Sequence, residues 1–369
     1  MRGKGIALSQ QPVCNLSWGR AKAMFVGYLG TYIALHDGEI VQRHLCSWFD
    51  KDEAHPLTQE ELEARGYVRQ YVANGRYVFQ HAEKGCLSFA HDMSVTHVAS
   101  PRKNEIFQEI DPSILPDPVA ERPLNGGVER NIHQIGIGLG DPGEYPEIFR
   151  ENRAQLIHLN SEYEYFYWSD GGFFDIKKFL LDYYSEEVYE YYQAIHPDYG
   201  AAKADLFRYL CLYAVGGVYV DLKSVIAAPL STIIKPEDRF LVSQWWHGAR
   251  QHPEVQHMTY GEYEQYYIIC ASGHPLMRRI IHQVMCLLRV YQPDMQGTGR
   301  HGTLVLTGPI MYSRMIEAYA HEGPVRHIHS LSNGVEYTTV GERGGHEQHT
   351  GRVHYSASIS PIVQNPAAL

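Results

Sequence analysis

One stretch constrains this chain more than any other: Ala204-Asp205-Leu206-Phe207-Arg208-Tyr209-Leu210-Cys211-Leu212-Tyr213-Ala214-Val215-Gly216-Gly217-Val218-Tyr219-Val220-Asp221-Leu222-Lys223. Leu206, Tyr209, Leu210 and Tyr213 fall at i, i+3, i+4 and i+7, an apolar stripe that docks a helix on a core. Asp205 and Arg208, three apart, share another face and can pair. Gly216-Gly217 stops the helix, because glycine reaches left-handed conformations at little cost. The chain then turns straight into a strand. Alternation puts Val218 and Val220 on one side, Tyr219 and Asp221 on the other. Asp221 therefore arrives at the carboxyl end of a short strand, where open α/β sheets gather their ligands.

The flanking pattern agrees with such a sheet. Residues 131–137 and 163–168 read as strands. Residues 146–156, 173–184, 186–195 and 201–214 read as helices, and 218–220 is again a strand. Strands alternating with helices imply crossover units and a largely parallel sheet, so the fold class is α/β. The first part of the chain differs. A run over 25–35 meets His36-Asp37-Gly38 and then 39–42, and 76–79 meets 83–85 and 86–89; both are hairpin signals. Thr58 opens a capped helix over 58–65. Pro112, Pro116, Pro118 and Pro123, then Gly126-Gly127, read as a connector. The expected organisation is a small β-rich domain over 1–115, a linker over 116–128, and an α/β domain over 129–369.

Composition excludes some functions. The net charge is −10 with histidine neutral, which argues against a nucleic-acid partner. The six cysteines, Cys14, Cys46, Cys86, Cys211, Cys270 and Cys286, form no CxxC pair, so a reducing cytoplasmic setting is the simpler expectation. The opening MRGKGIALSQQPV carries no apolar leader core. The best apolar run, 209–220, is well short of the ~20 residues of a membrane span. The expected location is cytoplasmic, at most peripheral to the inner face of a membrane. The 27 tyrosines suit sugar and base stacking, and equally suit half-buried packing.

Ala204, Asp205, Arg208, Tyr209, Leu212, Tyr213, Gly216, Gly217, Tyr219 and Asp221 together resemble the glycosyltransferases with a DXD-containing sugar-binding region. That is glycosyltransferase family 32, which includes yeast initiating mannosyltransferases and bacterial capsular polysaccharide enzymes. Arg130-Asn131-Ile132-His133-Gln134-Ile135 is similar to the family's first strand. Tyr163-Glu164-Tyr165-Phe166-Tyr167-Trp168-Ser169-Asp170 is similar to its second, and Ser272-Gly273-His274-Pro275 and Thr307-Gly308-Pro309 resemble later landmarks. The resemblance implies a GT-A fold with a Rossmann-type nucleotide-binding sheet. It implies hexose transfer from a UDP- or GDP-sugar to a glycan or glycolipid acceptor, with anomeric retention, in capsular or surface polysaccharide synthesis, and Mn²⁺ (or Mg²⁺). It places His133, Gln134, Ile135, Trp168, Asp170, Asp205, Arg208, Tyr209 and Gly217 around the nucleotide sugar. Asp221, Lys223, Asp205 and Arg208 become the catalytic set, and Thr307 and Gly308 face the acceptor.

One departure stands out: the second acid of the DXD triplet is Lys223. Either Lys223 touches the diphosphate and supplies part of the metal's charge, or Asp221 shares a metal with another ligand such as His354. A non-catalytic nucleotide-sugar or glycan-binding protein on a decayed scaffold is the alternative that Lys223 supports. His327-Ile328-His329 and His346-Glu347-Gln348-His349 raise a zinc enzyme, but the latter pair is one residue short of sharing a helix face. His133 and Trp168 could equally be core residues. The N-terminal region, with Trp48-Phe49, could bind acceptor glycan or serve only packing. Thr303-Leu304-Val305-Leu306 reads as a strand delivering the Thr307-Gly308-Pro309 turn.

Overall fold

The computed structural model describes residues 23–50, 54–139, 143, 145–245, 252–259, 261–337 and 354–369. The opening segment with Cys14, and the His346–His349 pattern in its glycine-rich surroundings, lie outside the described residues.

The N-terminal part is an antiparallel sheet built from β1 (Met24–Val26), β2 (Thr31–His36), β3 (Glu39–His44), β4 (His55–Pro56), β5 (Tyr67–Ala73), β6 (Arg76–His81), β7 (Gly85–Phe89), β8 (Val95–Val98) and β9 (Phe107–Ile110). Its order is β3-β2-β1-β9-β6-β7-β8, with β4 on β2 and β5 on β6. Asp37 and Gly38 both take positive φ, which a two-residue hairpin matching the strand twist requires. Asn74-Gly75 makes a second such turn between β5 and β6. Helix α1 (Gln59–Ala64) starts at a capping box between Thr58 and Glu61. Leu62 of α1 joins Phe25, Ile33, Phe79 and Phe107 on one face of the sheet.

The second sheet contains β10 (Asn131–Ile135), β11 (Glu164–Ser169), β12 (Phe174–Asp175), β13 (Gly217–Val220), β15 (Phe240–Ser243), β16 (Tyr267–Cys270) and β17 (Val325–Ile328). Its order is β12-β11-β10-β13-β16-β15-β17. β16 runs antiparallel to both neighbours, and the other strands of the sheet share one direction. A short ribbon pairs β14 (Val225–Ile226) with β18 (Val335–Glu336).

Helices cover both faces. Trp168, Tyr219, Phe240 and Ile268 pack with α3 (Ile176–Tyr183), α4 (Glu186–Ala194), α5 (Gly200–Val215), α7 (Pro275–Arg289) and α10 (Pro309–Tyr319). Ile132, Val218, Val220 and Ile269 pack on the opposite face with α2 (Glu147–Leu159) and α6 (Leu230–Ile233). The alternation expected for 218–221 is thus observed: Val218 and Val220 face one layer, Tyr219 the other.

One expectation needs correction. Residues 303–306 are not a strand; they end helix α9 (Gly299–Leu306), which follows the short α8 (Pro293–Gln296). A short apolar run fits a buried helix as well as a strand, and here Leu304, Val305 and Leu306 are all buried against neighbouring helices. Residues 116–128, the expected linker, lie against α7 and α5. The carbonyls of Pro116 and Val119 accept from His282 and Arg278 of α7, and that of Ala120 accepts from the Tyr213 hydroxyl. The two sheets share α7 as well: Cys286 and Val290 pack with Met24, Val26 and Ile110. Gln283 accepts from the Cys46 amide (3.0 Å) and donates to the Gly30 carbonyl (2.9 Å).

Candidate active site

From β10 the chain adds β11 and then β12 on one side, returns through α3, α4 and α5, and lays β13 on the other side of β10. The point where strand order reverses is therefore between β10 and β13, and a crevice outside the carboxyl ends of those strands is where such sheets bind ligands. Ile135 ends β10 there, and Asp221 follows β13.

Local backbone chemistry sets up the approach. Gly216 closes α5 with φ +60° and donates its amide to the Leu212 carbonyl (2.9 Å). Gly217 has φ +112°, and a Cβ there would stand 2.4 Å from the Asn131 carbonyl oxygen. Only glycine lets β13 lie this close to β10.

Around Asp221 is a charged chain that reaches into the core. Arg208 is buried on α5 and pairs with Asp205 one turn earlier. Its Nη1 donates to the Gln265 carbonyl (2.7 Å) and lies 3.6 Å from Asp221 Oδ1. The guanidinium also covers the Tyr219 ring at 4.7 Å. Burial disfavours its charge, but Tyr219, Asp221, Tyr209 and Tyr312 outweigh that and hold its pKa above the ordinary arginine value. Asp205 accepts from Thr307 Oγ1 (2.7 Å). The Thr307 carbonyl accepts from Tyr209 (2.8 Å) and from Gln265 Nε2 (3.2 Å). Tyr219 Oη donates to Asp221 Oδ1 (2.5 Å), and Lys223 Nζ lies 3.9 Å from Oδ2. The result is a partly exposed carboxylate at the carboxyl end of the central strand, with Lys223 on one side and the buried Asp205–Arg208 pair behind it.

The other expected site residues divide. Asp221, Lys223, Asp205, Arg208 and Tyr209 come together, with Gly217 as their turn. Gln134 is buried; it accepts from Tyr165 (2.7 Å) and reaches the Asp221 carbonyl at 3.5 Å. Ile135 is buried in the core. His133 is buried with both ring nitrogens engaged: Nε2–H donates to the Gly216 carbonyl (2.9 Å), and Nδ1 accepts from the Trp168 indole (3.1 Å). Burial lowers its pKa to about 4, so the ring is neutral at pH 7. His133 and Trp168 thus sit as packed core partners that tie β10 and β11 to the α5–β13 turn.

Asp170 accepts from Tyr192 (2.9 Å) and lines a cavity of about 410 Å³ with Asp175, Lys177, Tyr189 and Lys203. Thr307 is fully buried behind Asp205 rather than at an acceptor surface, and Gly308 starts α10. Sequence reasoning missed the Gln265 carbonyl, the Thr307–Asp205 bond and Tyr337. Lys223 donates to Tyr337 Oη (3.0 Å) across 114 positions, and no local signal announces such a contact.

The donor set fits a divalent cation poorly. Hard cations take several oxygen ligands, and Asp221 offers one carboxylate already facing Tyr219, Arg208 and Lys223. His354 Nδ1 is engaged within its own turn by Ser356 (2.8 Å). Among the described residues, no three His, Cys, Asp or Glu side chains form a metal-holding group. Nor is any described helix long and apolar enough to cross a membrane.

Residues 146–241 match the family model described as the glycosyltransferase sugar-binding region containing DXD motif, roughly a quarter of the chain. The segment carrying α2 to β15 is therefore similar to the sugar-binding region of glycosyltransferases. Among solved structures, the PaToxG glycosyltransferase aligns at 16% identity and TM-score 0.37, covering 53% of this chain and 69% of that one. The ligand-free glycosyltransferase domain from the YGT toxin aligns at 11% identity and TM-score 0.37, over 55% and 80%. Its UDP-bound form aligns at 10% and 0.39, over 58% and 82%. No curated protein matches the chain.

Proposed function

We propose that the chain is a glycosyltransferase that moves a hexose-type sugar from a UDP- or GDP-sugar to a glycan acceptor, retaining the anomeric configuration, on a GT-A-type sheet. The observation that carries the reading is the Asp205–Arg208–Asp221 chain at the carboxyl end of β13, within the segment similar to glycosyltransferases. Breaking the glycosidic bond of a nucleotide sugar builds negative charge on the departing diphosphate. Preorganised cations at that place stabilise the transition state more than the ground state. Arg208 is held rigid by its buried contacts, and Lys223 approaches the other oxygen of Asp221.

The test is a thermal-shift panel of UDP- and GDP-sugars on the full chain, followed by measurement of released UDP or GDP. A true donor present at 100 times its Kd stabilises the fold by ~2.7 kcal/mol. Stabilisation by one donor together with nucleotide release supports the reading. Stabilisation without release under any acceptor leaves a nucleotide-sugar-binding protein. No shift with any donor of either class refutes both.

A further inference from the structure

The family model is named for a DXD motif, yet residues 146–241 contain no Asp-x-Asp; the nearest counterpart is Asp221-Leu222-Lys223. Exchanging a carboxylate for an ammonium at one position raises the local charge by two units, from −1 to +1. That equals the charge a divalent cation brings. Asp205 and Arg208 cancel, and so do Asp221 and Lys223. With an acid in place of Lys223, the same site would need a divalent ion to reach that balance.

Lys223 is also held in place. Its Nζ donates to Tyr337 Oη (3.0 Å) and lies 4.5 Å from that ring's centre. Tyr337 is fixed in turn. Its carbonyl accepts from Ser224 Oγ (2.6 Å), its chain continues from the β14–β18 ribbon, and its ring packs edge-on against Trp245 and Tyr266. A lysine on a free stem would supply a diffuse charge; this one is held between the Tyr337 hydroxyl and the Asp221 carboxylate.

We propose that Lys223, positioned by Tyr337 and acting with Arg208, takes the place of the divalent cation, so that donor binding and transfer proceed without metal. The inference rests on the reading of the donor as a nucleotide sugar. In the step, the bond between the anomeric carbon and the β-phosphate oxygen breaks, and its electron pair stays on the diphosphate. The acceptor oxygen forms the new bond to that carbon, and its proton passes to the diphosphate. Lys223 faces the oxygens that gain charge, and the buried Arg208 backs it from the other side of Asp221.

The experiment titrates UDP and GDP calorimetrically into the full chain in EDTA and, separately, in MnCl₂. One nucleotide binds in EDTA, and Mn²⁺ leaves its affinity unchanged. Lys223→Ala weakens that binding about tenfold or more, the loss of a charge-assisted contact. Lys223→Asp loses binding in EDTA and regains it in Mn²⁺, while Tyr337→Phe, which keeps the ring, falls between wild type and Lys223→Ala. A wild-type requirement for Mn²⁺ overturns the inference, as does unchanged affinity in Lys223→Ala, and either leaves the donor reading standing. Failure of both nucleotides in both buffers overturns the donor reading itself, and this inference with it.

Discussion

Asp205→Asn separates what the buried ion pair does for the fold from what the rim does for chemistry. The substitution keeps the shape and an oxygen for Thr307, but removes the charge that faces Arg208. The guanidinium is buried, and its remaining anionic neighbour, Asp221, lies 3.6 Å away. Removing one partner of a buried pair costs ~3–5 kcal/mol. Because Asp221 persists and the amide can still accept a hydrogen bond, the lower end applies. At ~2.1 cal/mol/K of unfolding entropy per residue, the 369-residue chain loses about 4 °C in Tm for ~3 kcal/mol. Calorimetry or circular dichroism melting of the two proteins at pH 7 measures this. A Tm within 1 °C of wild type would refute the claim that Asp205 holds a desolvated charge, since an exposed pair contributes only ~0–1 kcal/mol.

Asp221→Ala should abolish nucleotide release from the donor and lower Tm by less than Asp205→Asn does, because this carboxylate is partly exposed and Arg208 keeps Asp205; full turnover would defeat the site assignment. Gly217→Ala should cost at least about 2 kcal/mol, since φ +112° and the Asn131 carbonyl both resist a side chain; a stable variant in urea denaturation would contradict the β10–β13 geometry. Burial holds His133, His274 and His282 at about 4 and His44 at about 3. These histidines are neutral when folded, whereas unfolded histidine titrates near ~6.5. Unfolding therefore takes up protons between these values, and stability is full above pH 6.5 and falls as pH drops towards 4. The urea midpoint should fall steeply over that window, and less steeply in His133→Gln; equal slopes would count against the buried neutral ring.

Much of the helix–turn–strand unit was legible because its signals are local. The stripe from Leu206 to Tyr213 sets the buried face of α5, Gly216-Gly217 ends it, and alternation aims Tyr219 and Asp221 the same way. The Thr58 cap and the Asp37-Gly38 hairpin are local for the same reason. What escaped depends on contacts far apart in sequence. Helix spacing pairs Arg208 with Asp205, and the resemblance groups it with Asp221; its contacts with Asp221 and the Gln265 carbonyl need β13 and β16 side by side. Residues 303–306 carried strand-like composition, but burial between helices decided their state. The Asn74-Gly75 turn is equally local, but β5 before it carries Val68, Tyr71 and Val72 exposed, so no inward alternation marks the strand. For His133 the sequence leaves a nucleotide-pocket residue and a core residue equally open, and only the Trp168 indole and the Gly216 carbonyl show both ring nitrogens engaged inside.

Helix α7 serves two cores at once. A fragment beginning near residue 129 would bare the side of that helix where Cys286 and Val290 meet Met24 and Ile110, and would strand Gln283 without the Gly30 carbonyl and the Cys46 amide. The β-rich part is therefore expected to stay with the rest: the two sheets should melt in one transition, and trimming the first should cost solubility before it costs any step at Asp221.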